Sequence, residues 1–378
     1  MKRYEELSNK KIVKILQSVS EITALSVPDL FNYSGLSVIY IIYSTSLAFA
    51  LVTLSVYTLY FKGIYIYKNT LATVSILDSV AIASVTITNV LSISFAIIFR
   101  RRKIVLLVKN LKEIERVLNS QINDKVLIIV FGLLEIFLFS YIVFESVSQI
   151  RTHGVFLYSL SVVMHVNIFL VSITVTQVQL FSTCVKQYFT FVNEKLATTM
   201  QYPPTSKVET IKMKFFLKTY DKLCDIIDLV SSSYGIQIAC VTFIIIICLI
   251  ESLNLLMKFA LRIEAIGDVW PTTLLISDTW NSIIYILFGI ILSICCERAS
   301  NEANNTSVLS YKILLNYPSC PKSHSDEINK NELMLLAEHL SQRKVKFSAA
   351  GLFDVDHTML YMIFGSIAAY LVIVLQFE

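Results

Sequence analysis

The sequence predicts an all-α integral membrane protein with seven transmembrane helices, and three observations carry that expectation. Hydrophobic residues make up 55% of the 378 positions, with a mean hydropathy of +0.66, where a soluble domain is about 45–50% apolar. Charged residues are only 16%, against about a quarter in soluble domains. Seven stretches are apolar over the roughly 20 residues that cross a hydrocarbon core of about 30 Å. They lie near 36–61, 71–99, 126–150, 155–183, 235–258, 273–296 and 348–377. The runs are long and do not alternate, which opposes a transmembrane barrel. No internal repeat or low-complexity linker divides them, so residues 1–378 are expected to form a single domain.

The connections between spans set the direction. Of the 32 lysines and arginines, 27 fall on the N-terminal segment and on residues 100–125, 184–234 and 297–347, and five fall on the other three connections. Because cytoplasmic loops carry the excess of basic residues, the N-terminus is expected in the cytoplasm and the C-terminus outside. This is the reverse of a G-protein-coupled receptor. Met1 to Lys14 is polar and basic, and no long apolar run starts before Leu36, so no cleavable signal is expected. None of the seven cysteines falls on a segment placed outside, which lets all of them stay reduced.

Chemistry of the enzymatic kind finds no support. GxSxG, HExxH, Walker and GxGxxG signatures are missing, and the cysteines form no CxxC pair or zinc spacing. Neither a metal nor a cofactor is expected. The adjacent Cys295 and Cys296 read as helix packing.

The inner connections are long and patterned. Ile104, Leu107, Leu111, Ile114 and Leu118 recur at spacings of three and four, and Ile211, Phe215, Tyr220, Leu223, Ile227 and Val230 approximate the same stripe. Both predict amphipathic cytoplasmic helices that prolong the second and fifth spans. Their apolar faces need cover, either from each other or from another subunit. In the last segment, Asp354, Asp356 and His357 precede the span, beside Lys344 and Lys346, and predict a salt-bridged anchor helix rather than a metal site. Gly351 and Gly365 offer points to bend.

Direction converts position into depth. Asp78 is early in an inward-running span, Glu145 and Gln149 end an outward-running one, and His165 and Asn167 fall in the outer-to-middle part of the fourth. Glu251 and Asn254 are late in the fifth, and Asp278, Trp280 and Asn281 begin the sixth. Glu135, nearer the middle, is the exception. Ionisable residues within spans face an interior or a water-filled cavity. Each of these residues on its own reads as a satisfied structural group. As a set they predict an outer-half cavity for a small polar or cationic organic ligand, held by hydrogen bonds and cation–π contact.

The seventh span ends on Ala369-Tyr370-Leu371-Val372-Ile373-Val374-Leu375-Gln376-Phe377. Read from these residues alone, Gln376 and Phe377 fit two roles. One is an interfacial aromatic anchor with a snorkelling amide, and the other is an apolar ring that closes a pore by excluding water. The stretch resembles the closing signature of insect gustatory receptors, Thr-Tyr, five hydrophobic residues, then Gln-Phe, with Ala369 in place of the Thr. That resemblance implies a tetrameric, ligand-gated, cation-permeable channel in the plasma membrane of sensory neurons. Its partners would be the lipid bilayer, a small-molecule tastant and other receptor subunits, with no nucleic acid. It further implies a pore lined by the seventh helices, with Tyr370, Ile373, Gln376 and Phe377 at the gate, and a ligand pocket among spans two to six. In relatives tuned to sugars the residue after the motif Tyr is often Glu; here it is Leu371, which points to a plant-derived bitter or other non-sugar compound. An odorant receptor shares the inverted plan and is the nearest alternative. A G-protein-coupled receptor is opposed by the charge count, and a secondary transporter by the absence of paired repeats and broken spans.

Overall fold

The computed structural model of the chain describes residues 36–65, 72–97, 101–118, 125–199, 207–260, 272–316 and 324–377, together with Thr23. Helix α1 is Leu36–Tyr65, α2 Ala72–Phe95 and α3 Arg101–Leu118. The stretch Lys125–Thr199 is interrupted at Gly154 (φ 80°, ψ 169°), which divides it into α4 (125–153) and α5 (155–199). Then follow α6 (Lys207–Ala260), α7 (Thr272–Leu315), α8 (His324–Gln342), strands β1 (Ser348–Ala349) and β2 (Phe353–Asp354), and α9 (His357–Phe377).

Inside hydrocarbon every backbone polar group must be satisfied within the chain, and helices do this segment by segment. Six described helices are long and apolar enough to cross a membrane, and the 21-residue α9 carries a further apolar stretch, His357–Ile373. Helix α1 exposes Val38, Ile39, Ile42, Phe49 and Tyr60 along its length, as a helix at the lipid boundary does. The chain reverses between α4 and α5 at Gly154, whose backbone angles are open essentially only to glycine. Side chains on the two sides of the break meet across it: Ser146 with Tyr158 at 2.9 Å, Glu145 with His165 at 2.9 Å, and Ser172 with Glu135 at 3.1 Å.

Helices α5, α6 and α7 outrun the bilayer. At about 1.5 Å per residue, the 54 residues of α6 extend roughly 80 Å, more than twice a hydrocarbon core. Their projecting ends join α3, α8 and the strands in a second packed region, called here the extension end. Leu107, Leu111, Ile114 and Leu118 of α3 are buried there with Tyr220, Leu223, Ile227 and Val230 of α6, in one core with Val185 and Tyr188 of α5. Most of both predicted stripes is therefore covered by the chain itself, and the side chain of Ile211 lies outside the described residues. Phe215 breaks the α6 pattern at 39% exposed, while its neighbour Phe216 turns inward. Helix α3 is also braced to α6 by Glu113 and Lys222. The Lys222 hydrogen bond holds the Glu113 carboxyl below the usual carboxylate range.

The last segment departs from the expected span near 348–377. Residues 348–354 form an antiparallel hairpin, with Ser348 opposite Asp354 and Ala349 opposite Phe353, and the helix starts only at His357. Consecutive left-handed residues cause the reversal, Ala350 at φ 54° and Gly351 at φ 78°. The expected ion pair is present, Lys346 Nζ to Asp354 Oδ2 at 2.5 Å, but it braces the hairpin rather than an anchor helix. Asp356 caps α9 by accepting the Thr358 N–H at 2.8 Å, and the Glu297 carboxylate accepts the His357 N–H at 3.0 Å. Gly365 lies within regular helix, away from any bend.

Two contacts seat the hairpin, and their magnitudes differ. Arg343 reaches Asp225 at 2.7 Å, Asp228 at 3.1 Å and Asp221 at 3.4 Å, one stripe of α6. Burial works against the Arg343 charge, but the hydrogen bonds to Asp225 and Asp228 hold its pKa above the usual arginine value. These groups are all at least a third exposed or close to it, so the cluster contributes only about 1 kcal/mol or less per pair. Gly235 is the tighter constraint. A Cβ there would stand 2.5 Å from the Ala350 nitrogen and 3.0 Å from the Ser348 carbonyl oxygen, both backbone atoms. Gly235→Ala is expected to destabilise the folded chain by about 1–3 kcal/mol through overpacking, read as a lower unfolding temperature of the purified protein. Arg343→Met should cost less; equal or reversed effects would contradict this ranking.

Candidate functional site

At the end of the bundle away from the extension, six helices surround a cavity of about 120 Å³. Lys62 comes from α1, Val74, Asp78 and Ala81 from α2, and Tyr141, Glu145 and Gln149 from α4. Ser161, Met164 and Ile168 come from α5, Cys248, Glu251, Asn254 and Leu255 from α6, and Ser277, Asp278 and Asn281 from α7. Helix α9 contributes nothing to this lining. Helical spacing explains the arrangement. Glu251 and Asn254 are three apart on α6, Asp278 and Asn281 three apart on α7, and Lys62 lies one turn past Thr58, which itself bonds the Leu160 carbonyl of α5 at 3.2 Å.

Polar groups on two walls are paired. Lys62 Nζ donates to Asp78 Oδ2 at 2.8 Å and Oδ1 at 3.2 Å, across α1 and α2. Glu145 Oε2 meets His165 Nε2 at 2.9 Å across the α4–α5 hairpin, with Tyr141 and Tyr158 packed against the imidazole. Pairing of this kind offsets the several kcal/mol that an isolated buried ion costs. The α6–α7 wall differs. Ser252 and Ser282 share a hydroxyl hydrogen bond behind it, yet Asp278 Oδ2 and Asn281 Oδ1 are buried with no partner among the described residues. Asn254 beside them is only 2% exposed.

The structure thus gathers seven of the residues singled out by the sequence, Asp78, Glu145, Gln149, Glu251, Asn254, Asp278 and Asn281, around one cavity. His165 stands one step behind, bonded to Glu145. Asn167 lies elsewhere. It accepts from Asn89 Nδ2 at 2.9 Å and donates to Thr86 Oγ1 at 3.3 Å, clamping α5 to α2. Trp280 is also outside the lining and sits among Phe137, Tyr141 and Phe144, with centroids 5.6, 6.4 and 5.4 Å away, as a wedge between α7 and α4. Its contact with Tyr141 links it to the cavity at one remove. Lys62 was not anticipated, because the first span was expected to end at 61; the helix runs on to Tyr65 and carries the ammonium inward. A lysine within one turn of an apolar run was the signal available.

On α9, Met359, Ile363 and Ile367 are buried, while Tyr361, Phe364, Val372 and Ile373 are exposed. Tyr370 is half-buried. The helical backbone reaches Phe377, but the side chains of Gln376 and Phe377 lie outside the described residues. The buried face is held by both neighbours, Thr242 Oγ1 to Met359 Sδ at 3.5 Å from α6 and Ser293 Oγ to His357 Nδ1 at 3.0 Å from α7.

Comparison with known proteins fits this architecture. Two Drosophila melanogaster proteins assigned as gustatory receptors 28a and 28b are 33% identical over 94 residues and 32% over 95. Each alignment spans 25% of this chain and 19% of the relative, so less than a fifth of those proteins is covered. Over nearly the whole length, the fold matches the insect olfactory receptor OR5 from Machilis hrabei with a TM-score of 0.73 at 13% identity, covering 99% of this chain and 100% of that one. The same receptor in complex with eugenol matches at 0.70 and 12% identity, again over 99% and 100%. At such identity the likeness speaks for the fold alone, seven apolar helices with long projecting ends. A family model described as 7tm chemosensory receptor matches residues 30–378, in agreement with the resemblance carried by the closing Tyr370 to Phe377 motif, and the chain belongs to that family of receptors rather than to any family of enzymes.

Proposed function

We propose that this chain is a subunit of a ligand-gated, cation-permeable gustatory channel, with the N-terminus cytoplasmic. A small non-sugar tastant is received in the cavity bounded by Lys62, Asp78, Glu145, Glu251, Asp278 and Asn281. Copies of α9 line the pore of a tetramer in the plasma membrane of a sensory neuron. The observation that carries this reading is the one-sided packing of α9. Met359, Ile363 and Ile367 face the bundle, and the opposite face, Tyr361, Phe364, Ala368 and Val372, has no cover among the described residues. A helix with small and aromatic residues on an uncovered face suits contact with other copies around an axis. Tyr370, Ile373, Gln376 and Phe377 then approach the outer mouth in that orientation.

The second reading is an odorant receptor of the same superfamily, whose fold this chain shares. Patch-clamp recording from a cell expressing this chain alone separates the two: the gustatory reading predicts cation current evoked by a water-soluble bitter panel, the odorant reading by volatile compounds. If Phe377 closes the pore, Phe377→Ala channels should pass cation current without agonist, because a wider, less apolar constriction wets more easily. Silent Phe377→Ala channels with normal agonist currents would place the gate elsewhere. Orientation is tested separately. Asn304 and Asn305 begin glycosylation sequons on the projecting part of α7, proposed as cytoplasmic, and a chain from insect cells is expected to carry no glycan there. A glycosidase-sensitive mass shift mapped to either residue would overturn the inverted orientation.

A further inference from the structure

The cavity's walls are unequal in how their polar groups are satisfied. The α1–α2 wall holds the Lys62–Asp78 pair and the α4–α5 wall the Glu145–His165 pair. The α6–α7 wall presents two carboxyl–amide couples at the same spacing, Glu251 with Asn254 and Asp278 with Asn281. On it, Asp278 Oδ2 and Asn281 Oδ1 are buried acceptors that receive no hydrogen bond from the described residues, and Asn254 beside them is buried. Buried acceptors without a donor are destabilising, more so when charged, so the wall is incomplete as it stands. Around the cavity four carboxyl groups face a single lysine ammonium, and Lys62 is already committed to Asp78. What is missing is positive charge and N–H donors together. A neutral alcohol supplies one donor and no charge; a quaternary ammonium supplies charge and no donor.

We propose that the α6–α7 wall is a binding site for an organic cation bearing at least two N–H donors, a primary ammonium or a guanidinium. Glu251 and Asp278 take the charge, Asn254 and Asn281 orient the head group, and Lys62 across the cavity is the internal cation with which it competes. The inference rests on the reading of this cavity as the ligand site and narrows the ligand's chemical class. The volume of about 120 Å³, below the roughly 300–1,000 Å³ of pockets for drug-sized ligands, suits such a head group rather than a whole drug-sized molecule. The remainder of a larger ligand would extend toward the cavity mouth.

The test uses the purified full chain in lipid nanodiscs, with unfolding temperature as the readout, since a ligand that binds only the folded state stabilises it by mass action. Three probes of similar size are titrated: n-butylammonium, tetramethylammonium and butan-1-ol. The proposal expects a saturable rise with n-butylammonium and about 10- to 100-fold weaker half-saturation with the other two, the loss of charge-assisted hydrogen bonds. Glu251→Gln with Asp278→Asn keeps shape, removes charge and should weaken n-butylammonium by a similar factor, and Asp278→Asn alone serves if the double variant fails to fold. Lys62→Met should tighten it, and Lys62→Arg, which keeps a cation, should not. Equal responses to n-butylammonium and butan-1-ol, both abolished by Asn281→Leu, would keep the cavity as a ligand site and overturn the cation class. No response to any probe, or responses indifferent to every one of these variants, would overturn the proposal and the cavity reading together.

Discussion

The backbone of α6 and the backbone of the 348–354 hairpin touch at Gly235, with the Ala350 nitrogen where a side chain would otherwise stand. That approach determines where α9 begins. The hairpin reverses on Ala350 and Gly351, Val355 returns a hydrogen bond to the Phe347 carbonyl at 2.9 Å, and Asp356 then caps the helix. From this seat α9 rises along α6 and α7, gripped by Thr242 on one and by Ser293 and Glu297 on the other. The same two helices carry Glu251, Asn254, Asp278 and Asn281 at their far ends. Gly235 and Glu251 are separated by roughly 24 Å along one unbroken helix. Occupancy of the cavity and the position of α9 are thus properties of the same rigid elements.

The cavity owes its character to which charges are paired. A lysine inside the bundle is tolerable because Asp78 lies 2.8 Å away, and Glu145 because His165 lies 2.9 Å away. Removing one member of such a pair would leave the other uncompensated, at a cost of about 3–5 kcal/mol, so these pairs are structural as much as functional. The acceptors of the α6–α7 wall have no such explanation within the fold. A partly satisfied polar wall facing a cavity is what a ligand site looks like before the ligand arrives.

Much of this was legible in the sequence, and the failures have physical reasons. Apolar length anticipated the six described helices long enough to cross a membrane, because crossing a bilayer demands about 20 residues whatever they pack against, but it overran the start of the last helix, which begins only at His357. The stripes Ile104 to Leu118 and Ile211 to Val230 were visible as helical periodicity, but what covers their described residues is tertiary, and only the structure puts Leu107 to Leu118 and Tyr220 to Val230 against each other. The hairpin was hidden because FSAAGLFDV is as apolar as a span; two-residue strands leave no alternation to detect, and Ala350 is an unusual residue to adopt a positive φ. In the cavity, carboxylates and amides stood out against apolar runs, whereas Lys62 sat at a predicted helix end and read as loop. Asn167 and Trp280 were at the right depth but on helix faces turned to other partners, which depth alone does not resolve.

The central claim is that the proposed outward-facing cavity on α6 and α7 favours cations and governs the conductance. The most direct measurement is the rate at which an impermeant cationic thiol reagent, trimethylammonium-ethyl methanethiosulfonate, modifies Asn281→Cys in intact cells. It is compared with its sulfonate analogue during current recording, in a Cys248→Ser background that removes the native cavity thiol. The account predicts reaction from the external bath, faster for the cationic reagent, slowed by n-butylammonium and accompanied by a lasting change in current. Reaction only from the cytoplasmic side, or equal rates for both reagents with the current unchanged, would contradict it.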